Sequence, residues 1–176
     1  MTDDVTTWRA LAALLPCERA REVLDLRAIG EQESALAELV SGLLEHDIPI
    51  TEDVRVQLVV TAEDWGSREA LVGRIAQCRP ALSPRSRLCL IDSRGDSTPV
   101  AFGSPPELSG LPVLPWIACE SCGQVLARAH TREPWGGMSF LAVHYVIYQP
   151  GTAAPELVLG ATEVQRALGA LSSCSQ

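Results

Sequence analysis

Apolar side chains in the first 78 residues recur every three to four positions, the period of an amphipathic helix. The clearest stripe consists of Leu36, Leu39, Val40, Leu43 and Leu44. The pattern predicts consecutive helices that form an antiparallel bundle, because the loops between them are short. The expected boundaries are Pro16 after the first helix, residues 18–27 for the second, Pro49 after the third, Thr51 and Gly66 around the fourth, and Ser67 as the cap of the fifth. We expect the fourth helix to bury Val54, Leu58 and Trp65.

Beyond Pro80 the apolar period changes to two, which is typical of strands. A polar turn is flanked by residues 87–91 and 98–102, so we predict a hairpin there. The next segment, residues 103–115, contains four prolines and is predicted to be a loop. Further strands are predicted over residues 116–119, 123–129 and 138–148. A closing helix over residues 162–171 has Thr162 and Gln165 in the positions of a capping box. The sequence therefore predicts an α+β fold, with an antiparallel helical bundle in residues 1–79 and a small antiparallel β-sheet region with a C-terminal helix in residues 80–176.

The acidic charge is concentrated in the predicted helical half. The formal net charge is −8, all basic side chains are arginine, and residues 1–78 carry 15 acidic and 7 basic side chains, whereas residues 79–176 carry 7 of each. An acidic chain argues against nucleic acid as the ligand, since phosphate binding needs a basic surface. The excess is either a set of solvated helix surfaces or a surface that attracts a basic partner.

Several classes of protein do not fit this sequence. No apolar stretch approaches the roughly 18 residues of a membrane span, and the start Met1-Thr2-Asp3-Asp4 is unlike a basic signal peptide, so we expect a cytoplasmic location and no membrane partner. The common nucleotide-binding, hydrolase and metalloprotease motifs are missing, so we expect no enzymatic activity and no catalytic residues.

One short motif could bind a metal. Cys119-Glu120-Ser121-Cys122-Gly123 has the spacing of a zinc knuckle, in which two thiolates point at one ion. No second Cys-x-x-Cys pair exists, so the other ligands would have to come from Cys89, His130 or His144. The alternative, which we favour, is a reduced pair of thiols that holds no cofactor.

A second segment of interest lies between two predicted strands. The sequence Arg132-Glu133-Pro134-Trp135-Gly136-Gly137 presents Trp and Arg, which are enriched at binding hot spots, on a Gly- and Pro-containing loop. Trp135 is either an exposed anchor for a partner or a lid folded back over the sheet. The sequence leaves both open.

The helical half also carries a family resemblance. Residues 30–40, Gly-Glu-Gln-Glu-Ser-Ala-Leu-Ala-Glu-Leu-Val, are followed by Leu43-Leu44-Glu45-His46-Asp47-Ile48-Pro49-Ile50-Thr51 and then by another amphipathic helix. Over residues 18–78 this pattern resembles the small helical immunity proteins of the MafI type. The resemblance implies an all-helical fold there, a cytoplasmic location and binding to a polymorphic toxin, often a nuclease. The second half of the chain departs from the family pattern.

Together these features favour an immunity protein that covers a basic toxin, such as a nuclease. The expected partner contacts are carboxylates around the turn at Pro49, which could form one continuous patch: Glu31, Glu38, Glu45, Asp47, Glu52 and Asp53. Arg132 and Trp135 could add to this surface if the second half folds over the same side. The alternatives are an accessory or scaffold protein of a bacterial conflict or signalling system, and a small zinc protein that uses Cys119 and Cys122.

Overall fold

The structure is a computed structural model that describes residues 4–82, 86–91, 99–103 and 105–173. The chain divides into two compact units, Met1–Pro84 and Arg85–Gln176. The first contains helices and the second an antiparallel sheet with a helix, which confirms the predicted α+β class. No helix in the described part of the chain has both the length and the apolar character needed to cross a membrane.

The first unit is built from helices that pack mainly against their neighbours in the chain. They are α1 (Asp4–Ala12), α2 (Cys17–Ala28), α3 (Gln32–Glu45), α4 (Glu52–Asp64) and α5 (Arg68–Gln77). Contacts join α1 with α2, α2 with α3, α3 with α4, α4 with α5, and α3 with α5. The stripe on α3 lies in the core apart from the half-buried Leu44, as the pattern predicted.

Helix α4 is buried more completely than its sequence pattern suggested. Val54 and Trp65, which we expected in the core, are only half-buried. The buried apolar residues of α4 are Val56, Leu58, Val59, Val60 and Ala62. A helix that is apolar on most sides belongs at the centre of a bundle, so a single amphipathic stripe was the wrong pattern for this element.

The predicted helix ends agree with the structure at α4, and α5 begins where expected, directly after Ser67. The Thr51 hydroxyl accepts a hydrogen bond from the Val54 amide at 3.3 Å, and Gly66 follows the helix with φ of +68°. Ser67 precedes α5 but makes no capping hydrogen bond; its hydroxyl instead donates to the Ala62 carbonyl at 3.4 Å. Ser67 is therefore the cap residue of α5 by position, as expected, but its side chain bonds to the end of α4 instead of to the first turn of α5.

The second unit is a five-stranded antiparallel sheet in the order β1-β2-β3-β4-β5. Its strands are β1 (Leu88–Leu90), β2 (Val113–Cys119), β3 (Val125–Ala129), β4 (His144–Tyr148) and β5 (Leu157–Gly160). A short 3-10 helix, Pro106–Leu108, precedes β2, and α6 (Val164–Ser172) follows β5.

Several predicted strands differ from the observed ones. Strand β1 pairs with β2, and Val100 also pairs with β2, at Val113, so the predicted hairpin between residues 87–91 and 98–102 is wrong. Its turn, residues 92–97, and the first residue of its second strand, Thr98, lie outside the described residues. Strand β2 begins inside the proline-rich stretch and contains Pro115, where the register shifts before Ile117. Strand β5 was not predicted.

The two faces of the sheet pack against different parts of the second unit. One face contributes Val125, Ala127, Ala129, Val146 and Tyr148 to an apolar cluster that includes Val100, Phe102 and Leu108 from the segment before β2. The Phe102 ring meets the edge of Tyr148 with 5.3 Å between ring centroids, and burial raises the pKa of the Tyr148 phenol. Helix α6 packs against β3, β4 and β5. Leu126, Tyr145 and Ile147 alternate along β3 and β4 with the residues of the first face, so their side chains belong to the opposite face of the sheet.

The start of α6 corrects a second predicted cap. The helix begins at Val164, so Thr162 and Gln165 do not occupy capping-box positions. The Glu163 carboxylate instead accepts the Gly160 amide at 2.9 Å and the Arg166 guanidinium at 2.7 Å. The amide and then Arg166 lower the pKa of Glu163, because both stabilise its charged form. Glu163 thus ties the end of β5 to the helix that covers the sheet.

Candidate partner-binding surfaces

The connection between β3 and β4 carries an unusual set of exposed apolar side chains. We call residues 131–141 the apolar hairpin. Its large apolar side chains are exposed to 80% at Trp135, 47% at Met138, 49% at Phe140 and 48% at Leu141. Within the described part of the second unit, every large apolar residue recorded as exposed lies in this segment. Isolated exposed apolar residues are common, so four of them within residues 135–141 make this segment a candidate interaction surface.

Backbone hydrogen bonds fix the conformation of the apolar hairpin. The Ser139 amide donates to the Thr131 carbonyl at 2.8 Å, and the Thr131 amide donates to the Ser139 hydroxyl at 3.1 Å. Nearer the tip, the Glu133 amide donates to the Gly137 carbonyl at 2.8 Å, and Gly136 turns the chain with φ of +89°. Because the backbone of the segment is already held in this way, binding would cost little further backbone conformational entropy.

The buried His130 supports the base of the apolar hairpin. This side chain is 4% exposed, and its Nδ1 lies 2.9 Å from the Ser139 carbonyl oxygen. A carbonyl oxygen can only accept, so Nδ1 carries the proton in this hydrogen bond. His130 therefore anchors the point where the chain returns from the tip.

The structure decides between the two expected roles of Trp135. With 80% of its surface exposed, Trp135 is not a lid over the sheet. Its indole lies beside Gly137, where an added Cβ would come within 3.1 Å of the indole nitrogen. Glycine at this position lets the indole rest against the backbone at the tip. The sequence had assigned Met138, Phe140 and Leu141 to a strand over residues 138–148, but β4 starts only at His144.

Arg132 lies at the base of the apolar hairpin, where it pairs in the backbone with Met138. Its side chain is exposed and lines a pocket of 360 Å³ next to Phe102 and Leu108. Arg132 and Glu133 have opposite charges, so the hairpin has no net charge of its own. Arg132 and Trp135 are thus both exposed on the apolar hairpin, three residues apart in the chain.

The carboxylates expected to contact a partner are mostly paired with arginines of the same unit. Arg19 on α2 binds Glu22 at 3.1 Å and Glu45 at 2.5 Å, and it also binds Glu38. The hydrogen bonds with Glu45 and then Glu22 raise the pKa of the Arg19 guanidinium above its usual value. Glu38 and Glu45 are thus joined to α2 by a cation that offsets part of their charge.

Two further arginines pair with carboxylates around the turn at Pro49. Asp47, whose φ is +48°, forms an ion pair with Arg79 at 3.1 Å, and its carbonyl accepts from the same guanidinium at 2.9 Å. Arg55 binds Glu52 at 3.1 Å and donates to the Cys78 carbonyl at 2.9 Å, beyond the end of α5. These arginines connect the turn and α4 to the chain that follows α5.

The remaining two predicted contacts occupy different settings. Glu31 is exposed before α3 and accepts the Ser34 hydroxyl at 3.3 Å, while Asp53 is half-buried in the first turn of α4. Among the predicted carboxylates, Glu38, Glu45, Asp47 and Glu52 form ion pairs with arginines. The acidic residues are evident from the sequence, whereas the cations beside them are not.

The Cys-x-x-Cys motif forms the turn between β2 and β3. The Gly123 amide donates to the Cys119 carbonyl at 2.8 Å, and the positive φ of Gly123, +75°, explains the glycine. Cys119 is buried, and the half-buried Cys122 thiol donates to the Gln124 side-chain oxygen at 3.5 Å. Among the described cysteines none forms a disulfide, and no three His, Cys, Asp or Glu residues in the described ranges are grouped so that they could hold a metal ion.

Comparisons with known proteins give no family for this chain. No family model matches it, and neither a curated protein nor a solved structure is detectably similar to it. The likeness of residues 18–78 to MafI-type immunity proteins stays a prediction.

Proposed function

We propose that this chain is a non-enzymatic, cytoplasmic protein-binding protein that neutralises a basic toxin, such as a nuclease, by steric occlusion. The observation that carries the proposal is the apolar hairpin, with four large apolar side chains exposed on a hydrogen-bonded loop. Burying such side chains against a partner removes them from water, which is the dominant favourable term in association.

The composition of the apolar hairpin favours a protein as the partner. Aromatic side chains, Met and Arg are enriched at the centres of protein interfaces, where an aromatic anchor fills a pocket and its neighbours exclude water. Trp135 has the size for such an anchor, and Met138 and Phe140 follow it three and five positions later in the chain. Trp135, Met138 and Phe140 carry no charge, so their burial in an apolar pocket of the partner does not require an ionised side chain to be desolvated.

The charge of the first unit favours a basic partner. Residues 1–84 carry 15 acidic and 8 basic side chains, an excess of seven negative charges. The arginine pairs offset individual carboxylates but leave this excess, which attracts a basic protein from a distance and raises the association rate. A toxin that grips phosphates has such a basic surface, and the resemblance of residues 18–78 to immunity proteins points to the same class of partner.

Growth rescue tests the proposal. The chain is co-expressed with the products of its neighbouring genes, among which the proposal expects the toxin, and growth is compared for the wild type and a Trp135→Ser, Phe140→Ser variant. We expect the wild type to restore growth and the variant to fail, while a Leu82→Ser control, which removes a fully exposed apolar side chain outside the hairpin, restores growth. Rescue by the hairpin variant would refute the assigned surface. A stable complex that never rescues growth would instead indicate an accessory or scaffold protein.

A further inference from the structure

A groove beside α2 and α3 combines an apolar surface with an acidic rim. It has a volume of 460 Å³ and is lined by Arg19, Glu22, Asp25, Leu26, Ile29 and Glu38. All but Glu38 lie on α2 or directly after it, and Glu38 lies on α3. The groove belongs to the first unit, whereas the apolar hairpin belongs to the second.

The apolar part of the groove is formed by Leu26 and Ile29. Ile29, which follows the last residue of α2, is 74% exposed, and Leu26 is half-buried. A large aliphatic side chain that stays this exposed contributes little to folding, yet its burial by a ligand would be favourable. The groove therefore offers an apolar contact that the first unit itself does not bury.

The rim of the groove is acidic even after its internal ion pairs are counted. Its lining contains three carboxylates, Glu22, Asp25 and Glu38, and one cation, Arg19. Arg19 is already bonded to Glu22 and Glu38, and to Glu45 outside the lining. An incoming cation would therefore meet an excess of negative charge directly beside Ile29.

We propose that this groove binds a segment of the protein partner in which a Lys or Arg lies next to a large aliphatic side chain. The aliphatic side chain packs on Leu26 and Ile29, and the cation lies among Glu22, Asp25 and Glu38. This inference rests on the proposed protein-binding function and deepens it, because it names the chemistry of the partner segment. It also places the acidic contact at α2, whereas the sequence pattern pointed to the turn at Pro49.

Synthetic peptides test the groove without the toxin. The probe is an Ala-based helical peptide of about 15 residues that carries Leu and Arg four positions apart, titrated into the isotopically labelled full chain at low salt. Two matched peptides replace either Leu by Ser or Arg by Glu. We expect amide shifts confined to the surroundings of the groove for the first peptide, and weaker or no binding for the other two. Shifts spread evenly over the acidic unit would overturn the proposal.

Matched variants separate a specific groove from general attraction. A Glu22→Gln, Asp25→Asn variant should bind the Leu–Arg peptide about three- to tenfold more weakly. The control, Glu33→Gln with Glu69→Gln, removes the same charge from exposed positions on α3 and α5 and should change affinity less than about twofold. Ile29→Ser should also weaken binding. Equal losses for the two charge variants, or no loss for Ile29→Ser, would contradict the assignment.

Failure of the groove can be told apart from failure of the proposed function. Trp135→Ala leaves the groove intact, so it should bind the Leu–Arg peptide as the wild type does while losing affinity for the toxin. If growth rescue depends on the apolar hairpin but no peptide binds the groove, the protein-binding function stands and the groove inference alone is refuted.

Discussion

The two predicted contact surfaces differ in how far the protein satisfies them internally. In the acidic helical unit, Glu38, Glu45, Asp47 and Glu52 pair with arginines of the same unit. In the apolar hairpin, Trp135 and its neighbours extend into solvent. A surface carboxylate is nearly equal in free energy whether it pairs with an arginine of its own unit or stays hydrated. The burial of an exposed apolar group, by contrast, becomes favourable only when a partner covers it. In the proposed complex we therefore expect the hairpin to supply most of the binding energy and the acidic unit mainly to raise the association rate.

The largest expected contrast is between two tryptophans. Trp8 is fully buried in the first unit, and Trp135 is 80% exposed. We expect Trp8→Ala to lower the free energy of unfolding by about 3–5 kcal/mol, because it leaves a cavity in the core. Trp135→Ala should change it by less than about 0.5 kcal/mol. Urea unfolding of both variants measures the difference, and a large loss for Trp135→Ala would show that this side chain serves the fold.

Local sequence signals explain which parts of the fold were predictable. The helices of the first unit follow from a period that repeats within one turn, and the Thr51 cap depends only on residues three positions apart. The pairing of β1 with β2 joins Leu88 to Cys119, far apart in the chain, so no local pattern specifies it. The predicted hairpin of residues 87–102 failed for the same reason.

The candidate site was predictable only in part, again for physical reasons. The pairs of Arg19 with Glu38 and of Arg79 with Asp47 connect residues that are distant in the sequence. The sequence alone therefore did not show that these carboxylates have arginine partners. Trp135 suits both a core lid and an exposed anchor, because its ring is apolar and its N–H is polar. The Pro- and Gly-containing tip marked a turn but could not show that Phe140 lies outside the strand.

A smaller effect is expected from the predicted acidic contacts. Glu45→Gln combined with Glu52→Gln and Asp53→Asn should slow association with the toxin severalfold in low salt and weaken its salt dependence, with little change in dissociation. The control, Glu18→Gln with Glu33→Gln and Glu69→Gln, removes the same charge from other exposed positions of the first unit. Stopped-flow association rates compare the two. If the first variant associates at the wild-type rate, these carboxylates are only solvated surface groups and play no part in attracting the partner.

The smallest expected effect concerns Glu163 at the start of α6. Its pKa in the folded protein is lowered from the usual 4.5, so its charge stabilises the fold above that pH, and this contribution is lost as pH falls through the folded pKa. Glu163→Gln should therefore lower Tm at about pH 7 and have little effect at about pH 3. Thermal unfolding across this range, with the exposed Glu107→Gln as control, checks it. An equal deficit at both pH values would mean that the charge of Glu163 is unimportant.

The central claim is that the apolar hairpin supplies most of the binding energy for the partner. The most direct test is to measure association and dissociation rates of the purified toxin with the wild type and with Trp135→Ala. We expect Trp135→Ala to weaken binding at least about 30-fold, almost entirely through faster dissociation, as for a buried aromatic anchor. Dissociation at the wild-type rate would contradict the claim, because the exposed indole would then contribute nothing to the interface.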